Sequence, residues 1–275
     1  NGSESRTLQD QANLALGYTY LHYGEMGGEM ESAIEYFEKI RIAGLFSSRA
    51  LLGLGLAEAA LGRHKRALIP WLELDEGDII EVEVGEAALL VPEALFKLES
   101  YKKSENAYQH AISRYSSEIE AVSAAITVLR ASETVPSGLA ARGKEGGWPD
   151  NVSKTQSIGL DARYFSWLIR RDADFRQAIA LYQEADELRG ALVSQKEKLS
   201  DYGLDVTVTA RYVATISGKI ANVENAMRKL ESYLQDLAIE RLEKRKTSLT
   251  SYLSQANLGL AKVYHHATER GGAIR

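Results

Sequence analysis

At 275 residues with a net charge of −5, no cysteine and four prolines, the chain is long enough for one elongated domain or two compact ones. It lacks the general basic field that nucleic-acid binding needs, and it has no thiol for disulfide or thiolate chemistry. Runs rich in Ala, Leu, Glu, Lys and Gln favour an all-helical protein, and no apolar run reaches the roughly eighteen residues of a membrane span. The start at Asn1-Gly2-Ser3 without Met is expected to reflect a trimmed chain whose targeting segment, if any, has been removed.

Taken in order, Asp10 to Leu45 holds a first helix with Leu16, Gly17 and Tyr20 and a second with Ala33, Phe37 and Ile40, joined by a turn around Gly24, Gly27 and Gly28. Arg49 to Leu74 repeats the plan: Leu54-Gly55 on one helix, a turn at Gly62, then Ala67, Trp71 and Leu74. Gly55 and Ala67 belong where two helices press closest, because only small side chains fit there. The stretch Asp75 to Val84 alternates apolar and acidic residues, as a short strand or a solvated linker would, and the linker suits a helical array better. A third pair follows, with Ala94, Leu95 and Leu98 and then Ala107, Ala111 and Tyr115. Glu118 to Ala131 reads as a further helix, with Ile119, Val122, Ile126 and Leu129 at spacings of three and four.

The Leu54-to-Ala67 spacing with Trp71 four residues on resembles the tetratricopeptide repeat, most closely over Arg49 to Leu74. The resemblance implies a helical solenoid, a binding scaffold whose first helices line the concave surface. Carried over position by position, that surface comprises Gln11, Leu14, Tyr18 and His22, then Arg49, Leu52, Leu56 and Ala59, then Leu89, Pro92, Glu93 and Phe96. The family's clamp for a chain-terminal carboxylate needs paired Lys, Asn and Arg along this face, and only Arg49 is present.

Residues 133–157 break the periodicity and form the clearest loop, with Trp148 either a contact anchor or tucked against a helix. From Leu160 a fourth pair begins: Phe165, then Ala178, Tyr182 and Ala185, with Asp174 and Gln177 resembling a capping box. The apolar seam Ala178, Leu181, Ala185, Leu188, Leu192, Leu199, Tyr202 continues past it. After a breaker at Gly203 to Asp205 comes a matching seam, Val213, Ile216, Ile220, Val223, Met227, Leu230, Leu234 and Leu237. Two such seams predict an antiparallel coiled-coil hairpin with Ala178 near Leu237 and Tyr202 near Val213. Beyond it Ala238 and Leu242 shift the phase, where the arm is expected to meet the body. The last helix, with Leu249, Leu253, Ala256, Leu260 and Val263, echoes the first: Gln255 to Tyr264 against Gln11 to Tyr20.

The predicted organisation is therefore all-α: helical repeats at 8–132, a loop at 133–157, a degenerate pair at 158–185, a hairpin arm at 186–240 and a C-terminal helix at 241–270. Gly53-Leu54-Gly55 lacks the context of a phosphate loop, and no Gly-x-Ser-x-Gly or His-Glu-x-x-His occurs. His265 and His266, being adjacent, diverge by about 100° on a helix and make a poor ligand pair. Asn151-Val152-Ser153 fits a glycosylation acceptor, a pattern too common to weigh. Arg241 to Lys246 reads as a solvated helix face. These features predict no catalytic residues, no cofactor and no metal. They favour a noncatalytic adaptor for a protein or peptide partner, in the periplasm or cell envelope of a bacterium, or alternatively in the cytoplasm. A competing expectation is self-assembly through the hairpin. An apolar concave face must be covered by a partner's segment or, within the chain, by its own last helix or the base of the hairpin.

Overall fold

The computed structural model describes residues 2–25, 29–131, 162–201 and 206–269. The loop around Trp148, the sequon at Asn151 and the turn at Gly203 lie outside the described residues. Among those described, all regular structure is helical: α1 (Gly2–Glu25), α2 (Met30–Glu38), α3 (Ser47–Ala60), α4 (His64–Asp75), α5 (Val82–Lys97), α6 (Tyr101–Ala131), α7 (Ala162–Arg171), α8 (Ala173–Asp201) and α9 (Val206–Glu269). The protein is all-α. Two compact units are formed, residues 1–120 with 246–275 and residues 121–245.

In the first unit, α1 packs on α2, α2 on α3, α3 on α4 and α4 on α5, while α1 also meets α3 and α3 meets α5. Close approach is made by nesting an aromatic ring over glycine. A Cβ on Gly17 or Gly53 would fall 2.6 or 2.4 Å from the Phe37 ring, and one on Gly55 2.2 Å from Trp71. Residues 246–269 of α9 continue the series beside α5 and α6, with the Tyr108 ring over Gly259 and Tyr252 donating to Glu86 (3.2 Å). α3 and α5 end alike. At Gly62 and Glu99 the chain turns left-handed (φ 71° and 57°), and the next amides, of Arg63 and Ser100, return to the carbonyls of Glu58 and Leu95 (2.9 Å each).

That shared turn corrects the register expected for the third pair. Gly62 and Glu99 align Leu54, Gly55, Ala67 and Trp71 with Val91, Pro92, Ser104 and Tyr108, three residues away from the expected Ala94 and Ala107. Ser104, fully buried, seals the contact by donating to the Pro92 carbonyl (2.7 Å). Two further expectations fail here. The segment after α4 is no solvated linker, because Ile79 and Ile80 are buried and Asp78 accepts the Ile80 amide (3.1 Å). Nor does a new helix start at Glu118: α6 runs unbroken, since no Gly or Pro interrupts Tyr101 to Ala131 and Tyr115, Val122 and Leu129 stay buried along it.

In the second unit α7 packs on α8, and the cap of α8 is Asp172, which accepts the Phe175 amide (2.8 Å). Asp174, the expected cap, lies inside the first turn and reaches Arg241 instead (3.5 Å). Tyr182 pairs with Glu231 (2.8 Å) and Asp172 with Arg241, so α8 and α9 run antiparallel where they meet. On the α8 side of that contact, Leu181 and Leu188 of the expected seam do not face inward. Ala178, Ile179 and Tyr182 are buried, whereas Leu181 and Leu188 stand exposed. Tyr182 and Arg189 occupy the inward positions because each hides an apolar body behind a polar tip. α9 passes through the phase change at Ala238 and Leu242 as one helix of 64 residues.

Candidate functional site

The first unit brings side chains from α1, α3, α5 and α9 into a transverse row. Tyr18 on α1 donates to the Arg49 carbonyl (2.9 Å), the Arg49 Nε lies 3.3 Å from the Glu83 carboxylate, and Glu86, one turn along α5, accepts from Tyr252. Burial, followed by the negative charge of Glu83 and Glu86, pushes the Tyr18 hydroxyl up to about 12 against the opposing pull of Arg49. It therefore stays a neutral donor at any physiological pH. Arg49 is half-exposed while Glu83 is buried, so the guanidinium reaches solvent from a fixed base.

Of the residues expected to bind a partner, Gln11, His22 and Arg49 are exposed, and Tyr18, Leu56 and Phe96 are partly buried. Leu14 and Leu52 are core residues, Leu14 in one cluster with Leu21, Ile34 and Phe37, and Leu52 in another with Trp71 and Val91. Leu52 contributes its carbonyl to the Trp71 indole (3.3 Å). Pro92 is buried likewise. Phe96 is shielded edge-on by Tyr101 and His266, and His266 also meets the Tyr101 hydroxyl (2.9 Å). Sequence reasoning does not single out Glu86 and Tyr252. The thirty-seven-residue register places Glu86 where Arg49 stands and Glu93 where Leu56 stands, and only the left-handed turn at Glu99 discloses it.

A concavity of about 550 Å³ lies between α8 and α9, lined by Tyr182, Asp186, Arg189, Glu224, Met227, Arg228 and Glu231. Its polar groups are largely satisfied within the chain: Arg189 with Asp186 (2.7 Å) and Tyr182 with Glu231. Burial and the Glu231 carboxylate push the Tyr182 hydroxyl well above its ordinary range. Among the described residues no group of three or more His, Asp or Glu side chains is placed to hold a metal ion, and no described helix is long and apolar enough to cross a membrane.

No protein-family model matches the chain, and no curated protein or solved structure matches it at a significant level.

Proposed function

We propose that the protein is a noncatalytic adaptor, a tetratricopeptide-like array that holds a helical or extended segment of another protein across the inner helices of its first unit. The observation that carries this reading is the row Tyr18, Arg49, Glu86 and Tyr252. Four helices contribute donors and acceptors at one level, flanked by the partly buried Leu56 and Leu89. Polar groups held by their neighbours, beside apolar side chains, are what a docked peptide backbone and its anchors require. A cell-envelope setting belongs to the same proposal and rests on the suitability of such arrays for joining components.

The test is an affinity pull-down with Tyr18→Ala, Arg49→Glu and Leu56→Glu variants whose circular dichroism matches the parent. Loss of the same partner in all three is expected. Retention of every partner would remove the inner face from consideration. A second reading, self-assembly, draws on Leu181 and Leu188, two exposed leucines one heptad apart on α8. Light scattering over a range of concentrations separates the readings, since a strict monomer eliminates the second and leaves the adaptor intact.

A further inference from the structure

With each heptad of α8 written abcdefg, Ala178, Ala185, Leu192 and Leu199 stand at a, and Leu181, Leu188 and Gln195 at d. α9 takes one edge of this seam. Tyr182 and Arg189, both at e, face it: Tyr182 donates to Glu231 (2.8 Å), and Arg189 shares a cleft with Glu224. On the other side Leu181 and Leu188 are 46 and 52% exposed. Across residues 183–199 no side chain of α8 is buried, although Leu188, Leu192 and Leu199 keep the heptad spacing throughout. A seam maintained where the chain's own contact does not use it calls for a second helix, and the charges beside it say which one.

Beyond the seam on the side away from Tyr182 and Arg189 run the g positions, Glu184, Ala191 and Lys198, all exposed. That edge is its own complement when reversed: acid, small residue, base in one direction and base, small residue, acid in the other. We propose that two copies of the chain pair through α8, antiparallel, about a two-fold axis beside Ala191. Glu184 of each copy then meets Lys198 of the other, which favours the pairing by charge. The same axis layers every a position on a d position. Leu181 lies on Leu199 of the other copy, Leu188 on Leu192, and Ala185 on Gln195, whose polar side chain within an apolar seam fixes the register. A parallel pair is the poorer arrangement, because it sets g against e, and the e residues Tyr182 and Arg189 are already engaged within the chain. This pairing rests on the self-assembly reading and gives it a surface, a direction and a register. The row at Tyr18 and Arg49 takes no part in it.

Because the chain has no cysteine, single cysteines in the full-length protein report the pairing directly. Sedimentation equilibrium is expected to show a dimer. A short bismaleimide should link two copies of the Ala191→Cys variant and leave Gly190→Cys, on the far side of the helix from Leu188, unlinked. Glu184→Lys and Lys198→Glu should each weaken the dimer about fivefold, and the double variant, in which the charges again oppose, should recover it. That recovery separates pairing from a loss of folding. A monomer at every concentration removes both this pairing and the self-assembly reading, and is the result if another segment or a different protein covers Leu181 and Leu188. A dimer that links equally through Gly190→Cys, or that the double variant fails to restore, removes the antiparallel α8 pairing alone.

Discussion

A single hydrogen at Gly259 lets the Tyr108 ring approach to a distance at which a methyl carbon would be 2.3 Å away. Helix propensity alone favours alanine over glycine by about 1 kcal/mol, but forcing that ring outward costs about 1–3 kcal/mol. Gly259→Ala is therefore expected to destabilise by about 1 kcal/mol in urea unfolding. Gly190 and Gly218 are mid-helix with nothing within 4 Å of where a methyl carbon would stand, so alanine there should stabilise by about 0.5–1 kcal/mol each. Equal signs at all three positions would refute the nesting account. Glu99 is the converse case, a side chain where Gly62 shows that glycine is wanted. Glu99→Gly should gain about 0.5–1 kcal/mol by relieving the left-handed strain. These positions also show what residue types disclose. Gly55, Ala67 and Trp71 are legible because small and aromatic residues stand where close packing needs them. Val91, Pro92 and Ser104 are not, since a proline inside a helix reads as a breaker and a serine as surface, so Ala94 and Ala107 look the better match.

At the scale of the element, the start of α8 is set by one carboxylate. Burial raises the pKa of Asp172, but the hydrogen bond from Arg241, the Phe175 amide, the Arg241 charge and the Asp174 amide together outweigh it and hold the carboxyl below its ordinary value. A carboxyl more acidic in the folded chain than in the unfolded one stabilises fully above a pH of about 4 and loses that contribution as pH falls through the depressed value. Asparagine can still accept the Phe175 amide, whereas alanine cannot. Asp172→Asn should therefore flatten the acid limb of a stability–pH profile while keeping the cap, and Asp172→Ala should cost about 1 kcal/mol more at neutral pH. An unchanged acid limb in the asparagine variant would show that the Arg241 pairing contributes nothing. The α8 seam departs from expectation at Leu181 and Leu188 for a related reason. Apolar type alone favours Leu181 and Leu188, whereas Tyr182 faces inward through its ring and Arg189 is held by Asp186 (2.7 Å). The antiparallel pairing of α8 and α9 does not depend on those two leucines, because it is made by two long periodic helices.

Two of the helices, α6 and α9, contribute residues to both compact units, which bears on how the whole molecule unfolds. Neither has a breaker near its boundary: Val122 on α6 and Leu242 and Leu249 on α9 are fully buried. Melting one unit alone would require an end to be created inside each helix, leaving up to four unsatisfied carbonyls or amides at each break. The units should therefore unfold together although each has its own core. Fluorotryptophan NMR can follow this without substituting any residue, because Trp71 reports on the first unit and Trp167 on the second. Their native signals are expected to vanish at one denaturant midpoint. Lys246→Pro, at the boundary in α9, removes a backbone hydrogen bond and clashes with the preceding turn at a cost of about 3 kcal/mol. It should lower both midpoints and separate them. Distinct midpoints in the unsubstituted chain would mean that α6 and α9 break readily at the boundary, and that cooperativity resides in the units rather than in the helices they share.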